Sequence, residues 1–110
     1  MIWTLRIVFS VVLIAMLCVT TWAGSIVALW NTPHEVATHP WFIATLFDTY
    51  FAFLTFWLWV AYKERTAVAR VIWLIAILVL GNIAMAAYML IRLFKLPADA
   101  SLETLLLREK

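Results

Sequence analysis

Residues 41–62 read WFIATLFDTYFAFLTFWLWVAY. These 22 residues carry a single formal charge, Asp48, and aromatic side chains stand at both ends. At ~1.5 Å rise per residue, the stretch covers the ~30 Å hydrocarbon core of a bilayer. A membrane-spanning helix over about residues 41–62 is therefore expected, and the rest of the chain is arranged around it.

Composition agrees. Of 110 residues, 67% are hydrophobic and 13% charged, against about 45–50% and 25% in soluble domains. Mean hydropathy is +1.04. A soluble domain this small has too much surface to hide that apolar mass. The net charge of +2 is small and scattered, which argues against a nucleic-acid partner. The lone Cys18 lies in an apolar run and forms no intrachain disulfide; it reads as a small packing residue.

Upstream, Arg6 precedes a long apolar run, IVFSVVLIAMLCVTTWAGSIVALW. Thr21-Trp22-Ala23 is a passable signal-peptide cleavage site, but the apolar run continues past it to Trp30. The expectation is a retained first span over about residues 7–30. Ser10, Cys18, Thr21 and Ser25 fall near one face at helical spacing, and small and hydroxyl residues suit close helix packing in lipid. The loop NTPHEVATHP follows, with Pro33 and Pro40 as breakers and no Lys or Arg. Pro40 suits the first turn of the next helix.

Downstream, Lys63-Glu64-Arg65 gives a short connection and so an antiparallel hairpin with a third span over about residues 68–91. Pro97 ends it, and Asp99 or Ser101 can cap a short amphipathic helix presenting Leu102, Leu105 and Leu106. The expected fold is all-α, a bundle of three transmembrane helices (residues 1–96) with an interfacial tail (residues 97–110). Three spans put the tail on the side opposite the N-terminus. The first loop has no Lys or Arg and the Lys63–Arg70 stretch is basic, so the N-terminus and second loop are expected to be cytoplasmic. Arg92, Lys95, Arg108 and Lys110 in the tail oppose that orientation.

Asp48 is the most informative side chain. An acid inside a span costs roughly 2.5–3.5 kcal/mol on insertion scales. In a regular hairpin centred near Arg65, facing residues sum to about 130, which pairs Asp48 with Asn82. Thr45, Thr49 and Thr55 flank Asp48. Three readings compete: interhelical glue, a proton or ion site, and a group that orients a ligand, pigment or partner subunit. One carboxylate without a second acid, base or nucleophile is a poor catalytic constellation, so an enzyme is the least favoured class.

His34-Glu35 and His39 superficially suggest a metal motif. H-E-x-x-H places both imidazoles on one helical face, whereas here the spacing is five residues in a proline-bounded loop. No metal is expected, and these histidines are read as exposed or as contacts to a pigment in a larger complex. Trp3, Trp30, Trp41, Trp57 and Trp59 form interfacial belts. Tyr88 and Arg92 share a face of the third helix with Asn82 and Met85, and with Trp41 they are candidate partner or pigment contacts.

The stretch WFIATLFDTYFAFLTFWLWVAYKER, the GNIAMAAY helix and LFKLP together resemble a domain-of-unknown-function family of small bacterial membrane proteins with three predicted spans. The resemblance covers about residues 41–97 and includes Asp48, Tyr62, Lys63, Glu64 and Asn82. It implies the architecture and a bacterial inner (cytoplasmic) membrane location, and no activity or intrinsic cofactor. The functional expectation is an accessory or structural subunit of a larger membrane complex, such as an energy-converting one, contacting lipid or pigment. Other integral membrane subunits are expected partners ahead of self-association. The alternative is a small homo-oligomeric transporter or channel built on Asp48 and Asn82.

Overall fold

The computed structural model describes residues 1–108. It is all-helical, with six α-helices among the described residues: α1 (Ile2–Ile26), α2 (His34–Ala37), α3 (Pro40–Lys63), α4 (Ala67–Leu80), α5 (Asn82–Phe94) and α6 (Leu102–Leu106). Two of them, α1 and α3, are long and apolar enough to cross a membrane.

Helix starts and stops follow local chemistry. His39 caps α3, its Nδ1 accepting from the Trp41 N–H at 3.2 Å, with Pro40 in the first turn. Thr66 caps α4, its Oγ1 accepting from the Ala69 N–H at 3.2 Å. Ser101 caps α6 through the Thr104 N–H at 3.3 Å. Each side-chain acceptor satisfies an amide that a helix N-terminus leaves without a partner.

The expected third span is not one helix. It stops at Gly81, where φ is +59° and ψ is −125°, and a second helix starts at Asn82. The chain then doubles back. The Trp73 and Tyr88 rings, on α4 and α5, have centroids 4.9 Å apart; fifteen residues of continuous helix would separate them by ~22 Å. Arg92, near the end of α5, pairs with Glu64, which precedes α4. Residues 67–94 are therefore a helical hairpin with its tip at Gly81. Glycine is required there twice over. The backbone is in a region that side-chain-bearing residues rarely enter, and a Cβ would lie 2.8 Å from Phe53 Cζ.

The tip reaches only partway along α3. Gly81 meets Phe53, and the Tyr50 hydroxyl donates to the Leu78 carbonyl at 3.4 Å. Helix α5 becomes the centre of the molecule. One side packs Ala84 and Tyr88 with Phe53, Val60 and Ile77. The other packs Met89 and Leu93 with Ile2 of α1 and Leu105 of α6. Helix α1 runs antiparallel along α5, and α5 has 13 residues to its 25, so about half of α1 is covered. Residues 17–27 are exposed throughout, as are residues 40–52 except for the half-buried Phe42 and Thr49.

Doubling back corrects the expected placement of the tail. The N-terminus, the Lys63–Arg70 connection and α6 share one end of the molecule. Arg6, Lys63, Arg65, Arg70, Arg92, Lys95 and Arg108 lie at that end, and residues 27–39 at the other contain no Lys or Arg. Lys110 lies outside the described residues.

A hairpin and a continuous span differ in one distance. In a Cys18→Ser background, spin labels at Ala67→Cys and Phe94→Cys are expected to lie far closer than the ~40 Å of 27 helical residues. Pulsed electron paramagnetic resonance measures this, and a distance near the helical value refutes the reversal.

Candidate functional site

The densest polar chemistry gathers where the N-terminus, the α3–α4 connection, the end of α5 and α6 meet. Arg6 is 8% exposed. Its guanidinium lies between the rings of Trp3 and Phe94, with Cζ 4.8 Å from each centroid. One terminal nitrogen donates to the carbonyls of Leu93 at 3.0 Å and Leu96 at 2.7 Å. A helix leaves its last carbonyls unpaired with partial negative charge, and a cation there serves as both cap and counter-charge.

Glu64 and Arg92 form a half-buried ion pair. Arg92 Nε also donates to the Tyr88 hydroxyl at 3.2 Å, and its Cζ stands 5.2 Å from the Tyr88 ring centroid. Tyr88 is 1% exposed and ringed edge-on by Phe56, Trp59 and Trp73, at centroid distances of 6.2, 5.7 and 4.9 Å. Arg70 Nε donates to the Glu64 carbonyl at 3.0 Å, and Trp57 Nε1 to the Arg70 carbonyl at 2.9 Å.

The tail is tied into the same end. Lys63 Nζ donates to the Leu107 carbonyl at 2.7 Å and Trp59 Nε1 to the Leu106 carbonyl at 2.9 Å. The Arg108 guanidinium donates to the Tyr62 carbonyl at 2.6 Å. Cations and indoles thus satisfy carbonyls that helix ends leave open. An open recess of about 210 Å³ remains between them, lined by Lys63, Glu64, Arg65, Thr66 and Arg92.

The residues singled out from sequence divide. Tyr88 and Arg92 sit inside this network. Asp48 and Asn82 are both exposed and make no hydrogen bond to each other. The hairpin register does hold along α4, where Tyr50 meets Leu78 and Trp57 meets Arg70. Asn82, however, comes just after the reversal, and Asp48 lies five residues beyond Phe53, which touches the tip. Thr45 donates to the Trp41 carbonyl of its own helix at 2.8 Å, and Thr49 is half-buried. Trp41, His34 and His39 are exposed at the far end of the molecule. Among the described residues, no three His, Cys, Asp or Glu side chains gather as a metal site.

Arg6 and Glu64 were not singled out from sequence. The signal for Arg6 is a lone charge near the start of an apolar helix. For Glu64 it is the single acid between Lys63 and Arg65.

Residues 1–110 match the family described as protein of unknown function (DUF1475). The chain belongs to that family. The match extends the resemblance seen over residues 41–97 to α1 and the tail. No curated protein and no solved structure matches the chain.

Glu64 and Arg92 are expected to act as a unit. In a double-mutant cycle with Glu64→Gln and Arg92→Gln, thermal unfolding should show coupling of about 0.5–3 kcal/mol. Strictly additive losses would show that the pair contributes nothing of its own.

Proposed function

We propose that the protein is a small accessory subunit of a larger membrane assembly, in which α1 and α3 cross the bilayer. The α4–α5 hairpin enters from one face and returns to it. Fourteen residues of α4 reach ~21 Å, short of a ~30 Å hydrocarbon core. Backbone at that depth needs internal partners, and the Tyr50 hydroxyl meeting the Leu78 carbonyl supports such a placement.

The observation that carries the proposal is the uneven covering of the two long helices. The hairpin packs against the halves near the basic end, and the far halves are bare. Open apolar grooves of about 340 Å³ each lie there, one along Leu46, Phe47, Tyr50 and Phe51, the other along Val19, Thr20, Ala23 and Gly24. Asp48 stands on this bare part of α3 without a hydrogen bond or ion pair among the described residues. A carboxylate facing acyl chains costs roughly 2.5–3.5 kcal/mol. A neighbouring transmembrane helix that brings a cation or hydrogen-bond donor to that depth removes the cost. A second copy bringing its own Asp48 would add like-charge repulsion, which favours a different subunit.

A second reading, a small homo-oligomeric transporter or channel, draws on the start of α5. A half-length helix beginning inside a membrane presents its positive end there, as transporter sites do, and Asn82 stands at that start.

Isolation from the native membrane in mild detergent separates the two. The proposal expects a particle containing other polypeptides. Asp48→Leu should release the chain from them and Asp48→Asn weaken the association, without changing the chain's own unfolding midpoint. A homo-oligomer whose ion flux is lost in Asp48→Asn would replace it with the transporter reading.

Orientation follows from the clustering of cations at one end. Positive residues favour the cytoplasmic side. Reporters fused ahead of Met1 and after Lys110 should both read cytoplasmic, and one inserted within residues 31–39 extracytoplasmic. Termini on opposite sides would refute the arrangement.

A further inference from the structure

The polar recess at the basic end, lined by Lys63, Glu64, Arg65, Thr66 and Arg92, is followed along the chain by an apolar groove. An open groove of about 310 Å³, lined by Ala67, Val68, Val71 and Ile72, begins at the very next residue and follows the first two turns of α4. Three cations line the polar part against one carboxylate, and Glu64 is already paired with Arg92. Arg65 is exposed and makes no hydrogen bond or ion pair among the described residues. Thr66 Oγ1 accepts from the Ala69 N–H, which leaves its hydroxyl proton to donate. The positive end of the α4 dipole opens at the same point.

We infer that this recess binds an anionic phospholipid, its phosphodiester held by Arg65 and Thr66 within the positive field of Lys63 and Arg92, with one acyl chain lying along Ala67, Val68, Val71 and Ile72. Charge selects a phosphate group. The adjoining apolar groove selects a lipid over a free phosphate ion, which has nothing to place there. Tyr62, Trp57 and Trp59 at the same end are the side chains that settle at a membrane–water boundary. A zwitterionic headgroup brings an ammonium into the same cationic field and is disfavoured. The inference rests on the membrane placement proposed above but needs no partner subunit, so it is tested on the isolated chain.

The purified full-length chain, in detergent with equimolar phosphatidylglycerol and phosphatidylcholine of matched acyl chains, is examined by native mass spectrometry. Bound phosphatidylglycerol should exceed phosphatidylcholine several-fold. Arg65→Gln should reduce that preference about fivefold, and Arg65→Lys should restore most of it, with helical content unchanged by circular dichroism. Equal retention of the two lipids by the wild-type chain overturns the inference without recourse to any variant. A preference unaltered in Arg65→Gln places the lipid elsewhere and also overturns it. Displacement of the lipid by millimolar inorganic phosphate assigns the recess to a free anion instead. Absence of other polypeptides from the native particle bears on the accessory-subunit proposal alone.

Discussion

At Gly81 the backbone takes φ +59°, and the Phe53 ring occupies the space where a side chain would begin. Everything else in the arrangement depends on that reversal. It turns an apolar stretch of full spanning length into a hairpin and brings α5 back beside α1. It also returns the tail to the end where the chain starts. Had α4 continued through Gly81, Arg92 would stand far from Glu64, and Arg6 would face no helix C-terminus. The ion pair and the buried guanidinium follow from the turn, and they in turn hold the hairpin closed.

Doubling back also concentrates helix ends, and helix ends carry unpaired carbonyls. The chain answers with donors drawn from other elements. Arg6 of α1 caps α5, Lys63 and Trp59 of α3 cap α6, and Arg70 of α4 reaches the Glu64 carbonyl. In an apolar surrounding an unmet carbonyl is costly. The basic residues at this end are therefore part of the fold. Arg6, Lys63 and Arg70 have structural duties, and Arg65 and Lys95 are left exposed. That division leaves Arg65 exposed beside the recess while the neighbouring charges are committed.

Much of this is legible in the sequence. Both long helices show in the hydropathy, and the proline breakers place the far loop within a few residues. The α3–α4 register was readable because Lys63-Glu64-Arg65 permits only a tight connection, and Tyr50 and Leu78 meet where that register puts them. The reversal was not legible. Gly81 sits between Leu80 and Asn82 in a run apolar enough to span, and small residues are common inside transmembrane helices. Period and hydropathy count what a segment contains, and a single positive φ changes neither. What decides the matter is Phe53, nearly thirty residues away in sequence, which packs over the turn. Asp48 was singled out by the cost of its charge, and the expected bond to Asn82 is absent because that residue follows the turn.

The same turn explains why the molecule has two unlike halves. Near the basic end, aromatic rings crowd Tyr88 and every helix finds a neighbour. Toward the far loop, α1 and α3 run on through exposed Val19, Trp22, Phe47 and Phe51. Lipid can cover such side chains at little cost, since acyl tails are as apolar as they are. It cannot cover Asp48 on the same terms. The apolar exposure alone is compatible with a solitary chain in a bilayer. The carboxylate within it sets the bare half of α3 apart from a purely apolar surface, while the other half is rooted in the packed end of the molecule.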